Sequence, residues 1–385
     1  MNISVNFRWS INPIFALKTK RKFMKPVRFN RKQDKEFYKT LKTRVEAYFE
    51  DNNISKKANS AMILKTAVLT VFYLLPIGFL WFGAITNPWI VIMLYLILGV
   101  GQAGIGLSIM HDANHGAYSE KPRINNIVSR YVDAVGGSSI TWRIQHNVLH
   151  HSYTNIDGYD EDIDTPPFLR FSPHADKKPI HKLQYIYAWF FYSLMTVFWI
   201  TAKDFIQLAR YEKMDLVKGQ NTTYKDELGK MIFWKVMYWI VFFVVPLLVL
   251  TPVISWGVVF GGFILGHLLS GLILAAIFQP AHVMEDLKFD LPSEEGQMDV
   301  HPAVHQLETT SNYANGSTFL SWYAGGLNFQ IEHHLFPNIC HIHYKKIAPI
   351  VKQTAKEFGI PYHEHKTFVR ALWYHTKMLK ALGRA

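Results

Sequence analysis

Between Thr66 and Met110 the chain runs TAVLTVFYLLPIGFLWFGAITNPWIVIMLYLILGVGQAGIGLSIM, 45 residues without an Asp, Glu, Lys, Arg or His. A single helix of that length would be about 68 Å long, roughly twice the hydrocarbon core of a bilayer. The stretch therefore reads as two spans joined by a short turn, and Thr86-Asn87-Pro88 is the breaker. Val236–Ala281 repeats the pattern over 46 residues interrupted only by His267, with Thr251-Pro252 as its breaker. Four spans follow, at about 66–86, 88–110, 233–251 and 254–279. The expected fold is all-α, a polytopic membrane protein whose remaining helices form a cap on one face.

Composition agrees with this reading. Of the 385 residues, 49% are hydrophobic and 18% charged, below the ~25% charged of a soluble domain. A disordered chain, a coiled coil and a disulfide-framed module are excluded, since Cys340 has no second cysteine to pair with. The net charge of +12 is concentrated early, with Lys18, Lys20, Arg21, Lys22, Lys25, Arg28, Arg31 and Lys32, whereas both short turns lack Lys and Arg. That bias places both termini and segment 111–230 in the cytoplasm. A solvated arm that sets topology accounts for these charges, and no nucleic-acid partner is expected. Met1–Lys25 has no apolar run of signal-peptide type. Three regions are expected: a basic arm over 1–60, the main domain over 61–350 and a cytoplasmic tail over 351–385. The aromatic stretch 185–201 is short and flanked by charge, as an interfacial helix would be.

The histidines then fall into place. His111 and His115 begin beyond the second span, and His146, His150 and His151 follow in the cytoplasmic segment. His282 closes the fourth span, and Gln330, His333 and His334 come after it. Residues four apart share a helix face, so His111/His115 and His146/His150 can each aim two imidazoles at one point. His151 lies about 100° further round an α-helix than His150, placed to reach a second ion. Imidazole suits iron, zinc, copper or nickel. Eight histidines and a glutamine exceed one tetrahedral zinc and imply two metal ions. His301/His305, His341/His343, His363/His365 and His267 read instead as structural histidines. Gly99-Val-Gly-Gln-Ala-Gly104 matches a dinucleotide fingerprint, yet it lies inside a span where no phosphate-cradling turn exists. Its glycines, with Gly257, Gly261, Gly262 and Gly266, suit close helix packing. The acidic run from Asp157 to Asp164 reads as a solvated loop, and Trp142 and Arg143 as candidates to contact an anionic head group.

The segments His111-Asp-Ala-Asn-His115, His146-Asn-Val-Leu-His-His151 and Gln330-Ile-Glu-His-His-Leu-Phe-Pro337 resemble the three histidine boxes of the integral-membrane fatty-acid desaturases. The likeness runs from about residue 60 to 350. A glutamine opening the third box is similar to the front-end (Δ5/Δ6-type) subgroup. The resemblance implies a di-iron centre held by His111, His115, His146, His150, His151, His333 and His334, with His282 as the further histidine and Gln330 as a weaker member. It implies O₂-dependent insertion of a cis double bond into a fatty acyl chain carried by CoA, acyl-carrier protein or a lipid, with O₂ reduced to two waters. Asp112 and Glu332 are candidates to orient the imidazoles. No fused haem domain is expected, because His301-Pro-Ala-Val is the nearest likeness to its motif and 1–60 is too short. The electron donor is then a separate protein of ferredoxin or cytochrome b5 type, as in bacterial members, and the expected site is a bacterial inner membrane. A hydroxylase of the same superfamily shares these ligands. A metal transporter would carry ionisable groups within the spans, which these spans nearly lack.

Overall fold

The computed structural model describes residues 27–385, so the basic residues from Lys18 to Lys25 lie outside the described residues. Four helices are long and apolar enough to cross a membrane: Ser60–Phe82, Pro88–Asn114, Tyr224–Leu250 and Trp256–His282, here spans 1 to 4. The breakers act as their chemistry dictates. Span 1 stops at Gly83, which takes a positive φ of 68°, and Asn87 caps span 2 by accepting from the Trp89 amide at 2.9 Å. Ser255 opens span 4 in the same way.

Three of the helices begin or end outside the uncharged blocks. Span 1 starts at Ser60 rather than near 66, span 2 continues to Asn114, and span 3 starts at Tyr224 rather than near 233. Each includes a charge that has a partner. Lys65 in span 1 meets His341 Nε2 at 2.8 Å, and Lys235 in span 3 donates to Asp204 at 2.7 Å and to the carbonyls of Trp199 and Gly136. A satisfied ammonium is tolerated where a bare one would end the apolar helix.

Spans 2 and 4 approach closely through glycine. A Cβ on Gly99 would fall deep inside contact with the Gly266 carbonyl, and one on Gly266 would strike the Tyr95 carbonyl. Gly101 abuts the Tyr73 backbone of span 1, so the fingerprint-like glycines are packing residues. Gly99→Ala is expected to destabilise the folded protein by ~1–3 kcal/mol. Gly261→Ala, where an added Cβ meets nothing, is expected to be neutral or slightly stabilising. Thermal unfolding of the two variants in one detergent tests this, and equal melting temperatures would refute the close-packing account.

The aromatic stretch forms Gln184–Ser193 and Met195–Phe198. The longer pair Pro179–Ser193 and Met195–Lys213 bends by 52° between its halves, and Ser193 packs against Gly271 of span 4. Beyond the spans, helix Lys35–Asp51 buries Phe37, Leu41, Val45 and Phe49 against Ile347, Val351 and Ala355 of helix Tyr344–Glu357. The i, i+4 spacing of that stripe is what an amphipathic helix needs. The short helix Gln330–Leu335 joins the same core through Ile331. Two small parallel pairs, Arg28–Phe29 with Gln297–Met298 and Ser311–Tyr313 with His363–His365, tie the cap loops together.

Candidate metal centre

Spans 2 and 4 deliver His111 and His282 at the ends that face the cap, and His115 follows directly on span 2. Just before this pair, Ile105–Ile109 forms a π-helical turn. A second one, Arg143–His150, carries box two. Such turns close i→i+5 bonds, and the His151 amide donates to the His146 carbonyl accordingly. Residues five apart then lie nearly over one another. This corrects the α-helical expectation for His151: its Nε2 stands 3.2 Å from His146 Nε2 and 2.9 Å from His333 Nε2.

The seven box histidines and His282 converge. His111, His115, His146 and His333 form one group, and His150, His282 and His334 another; His151 stands beside His333 and His334. Within each group the candidate ligand atoms lie within 4.8 Å of one another. Ions bound at ~2.1 Å need nitrogens about 3–4 Å apart. Trp142 covers the first group, its ring 4.5 Å from that of His146 and 5.5 Å from that of His111.

The hydrogen bonds fix which nitrogen faces inward. His150 Nδ1 donates to Asp160 at 3.0 Å, His334 Nδ1 to Gln306 Oε1 at 2.8 Å and His282 Nδ1 to the Thr309 carbonyl at 3.3 Å. Gln306 is itself oriented, because its Nε2 donates to the His151 carbonyl. With each Nδ1 acting as donor, a neutral ring keeps its lone pair on Nε2. The Nε2 atoms of His115, His282 and His334 are buried without a hydrogen-bond partner. His111 Nε2 and His146 Nε2 lie 3.1 Å apart. So many acceptor nitrogens turned on one another are what a cation reconciles, and the donor set fits two borderline metal ions.

Electrostatics point the same way. Burial, and then the neighbouring imidazoles, push His115, His146, His151, His333 and His334 well below the ordinary histidine value, so they stand as neutral bases. Burial also opposes a charged His150, but Asp160 and Asp162 outweigh it and raise its pKa to about 9.

Gln330 Nε2 is buried without a partner. The carboxylates expected to orient imidazoles do not do so. Asp112 accepts from His341 Nδ1 at 2.8 Å and from Cys340 Sγ at 3.0 Å, with His111 Nδ1 3.9 Å away. Glu332 accepts from Asn312 and the Tyr362 hydroxyl. Asp160, Gln306 and Tyr344, whose hydroxyl is 3.2 Å from His333 Nδ1, fill those places instead. Only Asp160 had a signal in the sequence, as one acid among five after box two.

The remaining histidines have other partners. His301 caps a helix at the Ala303 amide, and His305 bonds the Thr154 carbonyl. His267 lies between Tyr238 and Thr196, His343 meets the Lys57 carbonyl, and His363 and His365 flank Asp286.

The sequence model of the family described as "Fatty acid desaturase" matches residues 86–366. The chain is similar to an sn-1 linoleoyl-lipid 6-desaturase of Synechocystis sp., 33% identical across 92% of this chain and 97% of the relative. A protein of the same description from Arthrospira platensis is 36% identical over 90% of this chain and 92% of its own length. An acyl-lipid (8-3)-desaturase of Physcomitrium patens is 35% identical over 91% of this chain and 72% of its own.

Proposed function

The chain belongs to the fatty acid desaturase family, and from that membership we propose that it inserts a double bond near the carboxyl end of an acyl chain esterified in a membrane lipid. The enzyme is a fatty-acyl desaturase, and its relatives at 30–36% identity are named for positions 5, 6 and 8-3. The observation that carries the reading is the convergence of eight imidazoles, among which the buried Nε2 atoms of His115, His282 and His334 have no hydrogen-bond partner. Two iron ions would be held by His111, His115, His146, His150, His151, His282, His333 and His334, with Gln330 at the edge.

Drawing two hydrogens from unactivated methylenes needs an oxidant that side chains lack, and iron with O₂ would supply it, the two substrate hydrogens together with two external electrons and two protons accounting for two waters. The protein's own part is placement. Asp160, Gln306 and the Thr309 carbonyl hold three rings in one tautomer, and burial keeps the other imidazoles unprotonated and ready to bind. Trp142 closes one flank of the first group. A separate one-electron carrier of ferredoxin or cytochrome b5 type supplies the electrons. The Lys- and Arg-poor turns at the far ends of the spans favour a cytoplasmic cap, and a bacterial inner membrane is the proposed location.

Expression in a host that supplies linoleoyl lipids, followed by gas chromatography with double-bond location, tests the reading. A new double bond between the carboxyl group and the existing ones is expected. A hydroxylated acid in its place would transfer the chain to the hydroxylase chemistry of related histidine-box enzymes.

A further inference from the structure

We propose that Asp286, His363 and His365 form a separate metal site, which takes one zinc-like divalent cation and clamps the C-terminal strand to the segment that follows span 4. His363 and His365 lie two apart on the strand His363–His365, so their side chains leave the same face. That face is turned to Asp286, whose Oδ2 lies 3.6 Å from His363 Nδ1 and 3.4 Å from His365 Nε2. The spacing is loose for hydrogen bonds and suited to an ion. An N–H···O bond closes at about 2.9 Å, whereas donors held tetrahedrally at about 2.1 Å from a zinc ion stand about 3.4 Å apart. His365, only 7% exposed, turns its Nε2 toward the carboxylate, yet that atom is buried with no hydrogen-bond partner. A shared cation reconciles such a nitrogen with the oxygen beside it. Two imidazoles and a carboxylate are donors that zinc accepts, with solvent in the fourth position.

The surroundings leave these donors free for a cation. Burial opposes an ionised Asp286, but the two imidazoles outweigh it and hold its carboxyl well below the usual carboxylate range. Lys377, on the adjacent helix Phe368–Leu382, pairs with Glu285 at 3.9 Å rather than with Asp286. Glu364, between the two histidines, faces the other way and pairs with Lys352. Tyr374 packs on His365, ring centroids 4.8 Å apart. The donors are not yet a closed cage, and rotation of the His363 ring, 21% exposed, draws it in. Position gives the clamp its meaning. Asp286 is four residues beyond His282. The histidine strand pairs with Ser311–Tyr313, whose Asn312 accepts from the Ile331 amide at 2.9 Å and donates to Glu332. An ion here joins the flank of His282 to the strands that hold the box-three helix, and so braces two walls of the centre from outside.

The test counts zinc and needs no turnover. The full chain, without a histidine tag and loaded with iron in neutral detergent, is titrated with zinc sulfate against a chromophoric chelator. H363Q/H365Q, Asp286→Asn and His333→Ala are treated alike. Wild type is expected to take up one zinc that survives desalting, with its iron retained. H363Q/H365Q and Asp286→Asn should hold that zinc about tenfold or more weakly. Zinc should raise the melting temperature of wild type but not of these two variants. His333→Ala should keep the zinc, because it alters the histidine-box centre alone. Should the double variant not fold, Asp286→Asn decides by the same criterion, at the most exposed of the three positions. Equal zinc affinity of wild type and these variants would overturn the proposal, as would zinc uptake lost only in His333→Ala. A host that makes no new double bond would refute the desaturase reading and leave the zinc result standing, since this site does not depend on that reading.

Discussion

His334→Ala is expected to abolish the new double bond and to lower the metal content of the purified protein, and His333→Ala to do the same. The two rings have different partners, so the losses have different local causes. His334 Nδ1 is anchored on Gln306, and its Nε2 faces His150 and His282 without a partner. His333 meets Tyr344 on one side and turns Nε2 to His151 on the other, among the group of His111, His115 and His146. One substitution therefore opens each proposed metal position. A bound metal ion contributes several kcal/mol of barrier lowering, so turnover should fall by about 10³-fold or more. The control is His301→Asn. Its imidazole accepts from the Ala303 amide, a cap that asparagine can reproduce, and packs on Tyr38 away from the box histidines, so metal content and turnover should be kept. Normal metal content in both box variants would refute the ligand assignment even if turnover were lost.

The parts of this centre legible in the sequence are those that physics ties to local spacing. Four spans follow from uncharged length, and i, i+4 histidines at their ends follow from helical geometry. Their convergence on one face needed only the span topology. What was not legible depended on departures from regular helix or on distant chain. The π-helical segment Arg143–His150 moves His151 onto His146, and nothing in those residue types announces it. Gln306 comes from a separate helix, Pro302–Thr309, and acts through a contact 28 residues away in sequence. Asp112 and Glu332 looked like orienting carboxylates because each adjoins a box histidine. Adjacent residues on an α-helix point about 100° apart, so adjacency argues against a shared target. Glu332 accordingly faces Asn312 and Tyr362; burial, eased by those two hydrogen bonds, brings its pKa up to about 7.

The acidic run after box two separates the two ways of reading a carboxylate most sharply. As a solvated loop, its members should be interchangeable. The structure makes them unequal: Asp164 is exposed and pairs with Arg210 at 3.5 Å, whereas Asp160 is fully buried. Asp160 accepts from His150 Nδ1 with both oxygens, from the Asn155 amide at 2.8 Å and from the Asp162 amide at 2.9 Å. The same carboxylate therefore shapes the loop and sets the His150 ring. Asn155, held at φ 60°, in turn donates its side-chain amide to the His282 carbonyl, which links this loop to a second imidazole of that group. Asp160→Asn keeps one acceptor oxygen and replaces the other with a donor that faces His150 Nδ1. The ring then has to rotate, change tautomer or give up its bond, and Nε2 loses its aim. Metal affinity is expected to fall 10–100-fold, with partial recovery of turnover when iron is supplied in excess. Asp164→Asn weakens an exposed ion pair with Arg210, worth about 0–1 kcal/mol, and should change neither quantity. Competition with a chelator of graded strength measures both variants against wild type. Unchanged metal retention in Asp160→Asn together with a lowered melting temperature would assign Asp160 to the loop alone, and the aim of His150 would then have to come from packing.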